Sequence, residues 1–162
     1  MANIFNAAEV IDMGIEKERR RRDFYGLVSE KFRDKEMISL FSRLRDWEDE
    51  HIRKFSQIRD EVKDWEITES YQGEFGAYIR ALVYDKLYEY VSGARFAAKI
   101  KTPIDAIKYG IGFEKDAILF FNELIQFMPA NGRDKVAKLV DEEKAHIIYL
   151  SELKAKYEKQ HA

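Results

Sequence analysis

Proline occurs only twice in the 162 residues, at Pro103 and Pro129. Both stand where a helix is expected to begin or end. Proline breaks a helix interior but is tolerated in the first turn, so the rest of the chain is free to run as long helices. From about Asn3 to Lys31 apolar residues recur at helical spacing: Phe5, Ala8, Ile11, Ile15, Tyr25 and Val28. Asp34 is placed to cap a second helix, over about 34–64. It carries Met37, Ile38, Phe41, Leu44, Trp47, Ile52, Phe55 and Ile58 on one broad face and fades near Trp65. Thr102-Pro103 forms an N-cap and first-turn pair for a third helix to about Phe127. Pro129-Ala130-Asn131-Gly132 is predicted to be a turn, and a fourth helix follows over about 133–159.

The segment 65–101 is too long for a tight turn between neighbouring helices. Its middle, Glu74 to Val91, reads as one or two shorter helices rich in Tyr and Phe. The expected fold is therefore all-α: a four-helix bundle with one long crossover, containing short helices, between helices 2 and 3. Residues 1–162 are read as one domain. Hydrophobic residues at 46% and charged residues at 36% suit amphipathic helices with charged outer faces.

A net charge of -2 offers no general attraction to nucleic acid or to an anionic membrane. No run approaches the roughly 20 apolar residues of a membrane span, and the N-terminal residues lack the pattern of a secretory signal. The chain has no cysteine. That excludes disulfides, thiolate zinc sites, iron–sulfur centres and cysteine nucleophiles, and it fits a cytoplasmic location without requiring one.

The two halves share a spacing. Glu18 and Glu48 are 30 residues apart with their midpoint at Arg33, beside the Asp34 cap. Glu114 and Glu143 are 29 apart, with their midpoint at Met128-Pro129. In an antiparallel hairpin, residues equidistant from the turn lie at one height. About 15 residues on each arm at 1.5 Å rise puts each pair roughly 22 Å from its turn. Each half thus brings one Glu level with a Glu-x-x-His: Glu48 with His51, and Glu143 with His146. Residues three apart share a helix face, so each carboxylate and its imidazole converge. Together with Glu18 and Glu114 they form a set of four carboxylates and two imidazoles, suited to iron or manganese, with zinc as a substitute. Two divalent ions would neutralise four ionised Glu, whereas buried carboxylates without counter-charge are very costly. A Glu from each of two helices and a Glu-x-x-His from each of the others is a known di-metal bundle arrangement. His161, in the C-terminal tail, is read as solvated.

Around these residues the chain resembles the rubrerythrin and ferritin-like di-iron superfamily, most closely its single-domain rubrerythrin-like members. The stretches that carry the resemblance are Glu18-Arg-Arg-Arg-Arg-Asp-Phe-Tyr25, Trp47-Glu-Asp-Glu-His51, Glu114-Lys-Asp-Ala-Ile-Leu-Phe-Phe121 and Asp141-Glu-Glu-Lys-Ala-His146. The resemblance implies a site of two iron ions, reacting with oxygen or hydrogen peroxide, in a homodimer. Three departures narrow that implication. Rubrerythrin carries a four-cysteine rubredoxin-like domain, so electrons here would come from a separate donor such as a rubredoxin-like protein. Its additional carboxylate, one turn after the third-helix Glu, is replaced by Ala117. Tyr25 follows Glu18 by seven residues, but Phe121 stands at the matching place after Glu114.

Two residues are candidates to orient ligands. Glu142 is placed to accept the free ring N–H of His51, and its counterpart Trp47 cannot accept. Tyr25 can hydrogen-bond a carboxylate or be a satisfied core phenol. Gly14 and Gly110, four residues before the lone Glu of each half, leave room for a bound species or for close helix packing. In Arg19-Arg20-Arg21-Arg22, Arg21 and Arg22 share the face of Glu18. The preferred reading has their stems along the bundle and their heads in solvent; the alternative has one neutralising a carboxylate or attracting an anionic small molecule. The aromatics Tyr71, Phe75, Tyr78, Tyr84, Tyr88, Tyr90 and Phe96 either form a dimer interface or close one side of the core. Three functions remain open: a di-iron oxidoreductase, an iron-binding, ferroxidase or storage protein, and a metal-free structural bundle.

Overall fold

The computed structural model describes residues 6–67, 73–83 and 93–161. Helix α1 (Ala7–Lys31) starts at a capping box. The Asn6 side chain accepts from the Glu9 N–H and the Glu9 carboxylate accepts from the Asn6 N–H, each at 2.9 Å. Helix α2 (Lys35–Val62) follows a three-residue connection and is capped by Asp34, whose carboxylate accepts from the N–H groups of Glu36 and Met37. The crossover holds α3 (Glu74–Val83) and α4 (Gly93–Lys99). Helix α5 (Pro103–Phe127) opens with a Thr102–Asp105 capping box and Pro103 in its first turn. Helix α6 (Ala130–Gln160) completes the bundle. The described residues contain no strand, and none of their helices is long and apolar enough to cross a membrane.

Two boundaries differ from the sequence expectation. The predicted turn at 129–132 is largely the first turn of α6. Pro129 takes extended angles (φ -62°, ψ 159°) at the N-cap, and its carbonyl accepts the Arg133 N–H at 2.9 Å. Gly132 packs against Met128: an added Cβ would lie 2.5 Å from its terminal Cε, which would have to move aside. In the crossover, α4 begins at Gly93, beyond the expected limit at Val91. Tyr71, Tyr84, Tyr88 and Tyr90 lie outside the described residues.

Helix α1 packs along α2 and α5 along α6; α1 also faces α5, and α2 faces α6. The core divides into two apolar clusters. One gathers Val10, Ile11, Phe55, Ile58, Phe120, Phe121, Leu124 and Leu139, with Phe75 and Ile79 of α3 laid over it. The other gathers Phe24, Tyr25, Phe41, Leu44, Phe113 and Leu150, with Phe96 and Ile100 at the α4 end of the crossover laid over it. Phe75 and Phe96 thus close the bundle rather than present a surface, whereas Tyr78 is 42% exposed. Between the two clusters lies a layer of buried charge.

Candidate metal centre

Glu18, Glu48, His51, Glu114, Glu143 and His146 all point into that layer, and none is more than 4% exposed. Their heights follow from the helical spacing, and the structure brings all six together. They form two overlapping groups. Glu18, Glu48, His51 and Glu143 make one; Glu48, Glu114, Glu143 and His146 make the other. Within each group one donor atom per residue lies within 4.8 Å of all the others. Glu48 and Glu143 belong to both, so each is placed to bridge. Nδ1 of His51 is 3.1 Å from Glu143 Oε1 and 3.6 Å from both Glu18 Oε2 and Glu48 Oε2. Nδ1 of His146 is 2.9 Å from Glu143 Oε2, 3.4 Å from Glu114 Oε1 and 3.7 Å from Glu48 Oε1.

These donors converge on shared points and satisfy one another only in part: His51 Nδ1 lies within hydrogen-bond distance of Glu143 Oε1. Both oxygens of Glu48, Oε2 of Glu114, Oε2 of Glu143 and Nδ1 of His146 are buried and make no hydrogen bond. Orphaned buried oxygens of this kind cost several kcal/mol each by typical transfer energies. Two divalent cations, one per group, would engage them, so the residues fit a dinuclear metal centre.

Electrostatics in the layer are strongly perturbed. Burial, with the charges of Glu143 and Glu48, pushes Glu114 well above the usual carboxylate range. Burial acts the same way on Glu143, but the His51 and His146 imidazoles outweigh it and hold Glu143 well below that range. Burial lowers His146, yet Glu114 and Glu143 beside it raise it to about 10. His51 is likewise raised well above its ordinary value: Glu143, Glu142 and Glu48 overcome its burial.

Both predicted orienting residues lie against candidate ligands. Nε2 of His51 is 2.7 Å from Glu142 Oε2, and Lys54 Nζ holds the same carboxylate at 3.0 and 3.1 Å. The His51 contact holds Glu142 down to about 2. Tyr25, fully buried on α1, donates across the bundle to Glu114 Oε1 at 2.5 Å. Trp47, the counterpart of Glu142, lies over the His146 ring. Gly14 and Gly110 serve close packing. A Cβ on Gly14 would sit 2.9 Å from Phe120, and one on Gly110 would meet Leu150 at 3.2 Å and Tyr25 at 3.4 Å. His161 is exposed, with its ring Nδ1 2.8 Å from the Tyr157 carbonyl oxygen.

The preferred reading of the arginine run is wrong at one position. Arg21 is fully buried. Its guanidinium contacts Glu18 and approaches Glu48 Oε2 at 3.7 Å and Glu143 Oε1 at 4.0 Å. Arg19, Arg20 and Arg22 pair with surface carboxylates, as expected of solvated heads. Lys17, which the sequence did not single out, is also buried. Its Nζ donates to Asp116 Oδ2 at 2.7 Å and to the Leu82 carbonyl at 2.8 Å. Nothing within α1 marks it, because both partners lie on other elements.

Helices α3 and α4 lie on the α1 and α5 side, through the Phe24–Phe96 and Phe75–Phe127 contacts, and the α2–α6 seam lies opposite. There Trp47, Glu50, Lys54, Glu142, Ala145, His146 and Tyr149 line a surface cleft.

Comparison with protein-family models and with curated proteins finds no match to this sequence. Among solved structures, a crystal structure at 2.30 Å of a Thermotoga maritima protein, described as a candidate ferritin-like diiron-carboxylate protein, superposes with a TM-score of 0.70. It is 24% identical, and the match covers 97% of this chain and 99% of that one. The bundle, with its long crossover between the second and third core helices, thus has the ferritin-like fold of that protein.

Proposed function

We propose that this chain is a non-haem di-iron oxidoreductase that reduces hydrogen peroxide or oxygen. The observation that carries the reading is the pair of overlapping donor groups sharing Glu48 and Glu143. Bound iron would supply the redox chemistry and a site for the oxidant. The protein supplies the rest. Glu18 with His51 and Glu114 with His146 would each bring a carboxylate and an imidazole to one metal position. Glu142 orients His51, and Tyr25 holds one oxygen of Glu114. The apolar clusters on either side exclude water from the ends of the bundle.

In this reading the reducing electrons would come from a separate donor, of which a rubredoxin-like protein is one kind. A homodimer is part of the same proposal, and the exposed aromatics Trp65 and Tyr78 support it.

The test is stopped-flow mixing of the anaerobically prepared diferrous protein with hydrogen peroxide. Oxidation faster than that of free ferrous ion, at a ratio of two irons per chain, is expected. A rate no faster than free ferrous ion overturns the reading.

A further inference from the structure

Arg21 stands three residues after Glu18, and Ala117 stands three residues after Glu114. The two positions correspond in the two halves and both are fully buried. One therefore brings a fixed positive charge into the layer and the other brings only a methyl group. Arg21 touches Glu18, which belongs to the His51 group alone, and approaches more distantly Glu48 and Glu143, which both groups share. Its guanidinium lies over the Phe121 ring, 5.8 Å from the centroid. Phe121 occupies the place where the other half has Tyr25, so the carboxylate beside it receives a cation instead of a phenol.

We propose, resting on the di-metal reading above, that Arg21 is a tethered counter-cation that makes the two metal positions unequal. The Glu48–Glu114–Glu143–His146 position fills first and tightly. The Glu18–Glu48–His51–Glu143 position fills second and more weakly. Arg21 is packed on Phe121 with no exposed surface. The competition is electrostatic. With Arg21 in place, one divalent ion brings four ionised Glu to within a single negative charge of neutrality. A second ion leaves an excess positive charge unless an anion enters with it. A unit charge a few ångströms from the incoming ion is enough for a separation of about tenfold or more in affinity.

The experiment is an equilibrium titration of the full chain with Mn(II), with free ion followed by its electron paramagnetic resonance signal. Wild type is expected to bind two ions in classes about tenfold or more apart. Arg21→Met is expected to raise the weak class by about tenfold and to change the tight class less. Two wild-type ions of one affinity overturn the proposal. So does an Arg21→Met variant whose weak class is unchanged, or whose two classes fall together as a merely structural role would require. Glu18→Gln provides an independent arm, because it removes a carboxylate from one group only. Loss of the weak class with the tight class retained supports the order, and loss of the tight class reverses it. A wild-type chain that binds no Mn(II), Fe(II) or Zn(II) overturns the di-metal reading itself, a result distinct from all of these.

Discussion

Trp47 lies flat on His146, with ring centroids 5.0 Å apart and planes within 10°, at the helical position where Glu142 grips His51 in the other half. One imidazole is held by a hydrogen bond at its outer nitrogen and the other by an aromatic face. The two ligands therefore respond differently to change. Glu142→Ala is expected to weaken metal binding at the His51 group by about 10- to 100-fold, the usual cost of removing a carboxylate that orients a ligating His. The His146 group should change far less. Metal titration of wild type and variant reads both.

Metal binding should release protons and tighten with rising pH. Metal takes neutral imidazole, whereas in the unloaded layer His146 is raised to about 10 and His51 is raised well above its ordinary value. The sign for the unloaded chain is opposite. A raised folded-state value stabilises fully below the unfolded value near 6.5 and is lost as pH climbs through about 10. Calorimetric titration of Zn(II) in buffers of different ionisation enthalpy should show net proton release at pH 7. An enthalpy independent of buffer would contradict it.

Lys17 and Asp116 form a pair whose side chains are 3% and 9% exposed. Lys17→Met leaves Asp116 without its buried cation and is expected to cost about 3–5 kcal/mol, the usual penalty for breaking one side of a buried pair. Adding Asp116→Leu should recover most of that loss, because an apolar pair of similar volume is often no worse. Urea denaturation of both variants checks this, and a double variant no better than the single would refute it.

Tyr25→Phe removes the donor to Glu114 with little change of shape. Hydrogen bonds to charged groups contribute about 1.5–3 kcal/mol. Glu114 is pushed toward its neutral form in the unloaded layer, so the loss should fall at the low end there. It should be larger in the metal-loaded protein, where Glu114 must be ionised. Denaturation with and without Zn(II) separates the two states.

The fold was legible because its signals are local. Periodicity needs only one helix at a time, and the caps at Asp34 and Thr102 are single residues with a known hydrogen-bond geometry. The six candidate ligands were legible because both hairpins place a Glu pair equidistant from a turn, with a His one helical turn beyond one Glu of each pair. Arg21 and Lys17 were not, because a charge on a core-facing helix position is indistinguishable in sequence from one whose stem reaches solvent. Arg21 did carry one signal, its place on the face of Glu18. Lys17 carried none, since Asp116 and the Leu82 carbonyl become its partners only after α3 and α5 have docked. The start of α6 was misread for a related reason. Asn131 and Gly132 are turn formers by propensity, but Pro129 stands at the N-cap with its carbonyl accepting the Arg133 N–H, and the helix runs through both.

The two apolar clusters share no residue and meet across the charged layer. Apart from the continuous backbones of α1, α2, α5 and α6, the side chains of that layer are what joins one core to the other. A pair of ions bound there would act as rivets through the waist of the bundle, making both cores unfold as one unit. Stripped of metal, the waist becomes a line of mutual repulsion, relieved only by protons and by Arg21. The loss on chelation would then be one of cooperativity as well as of stability, visible as a broadened melt in which the two ends of the bundle no longer lose their structure together.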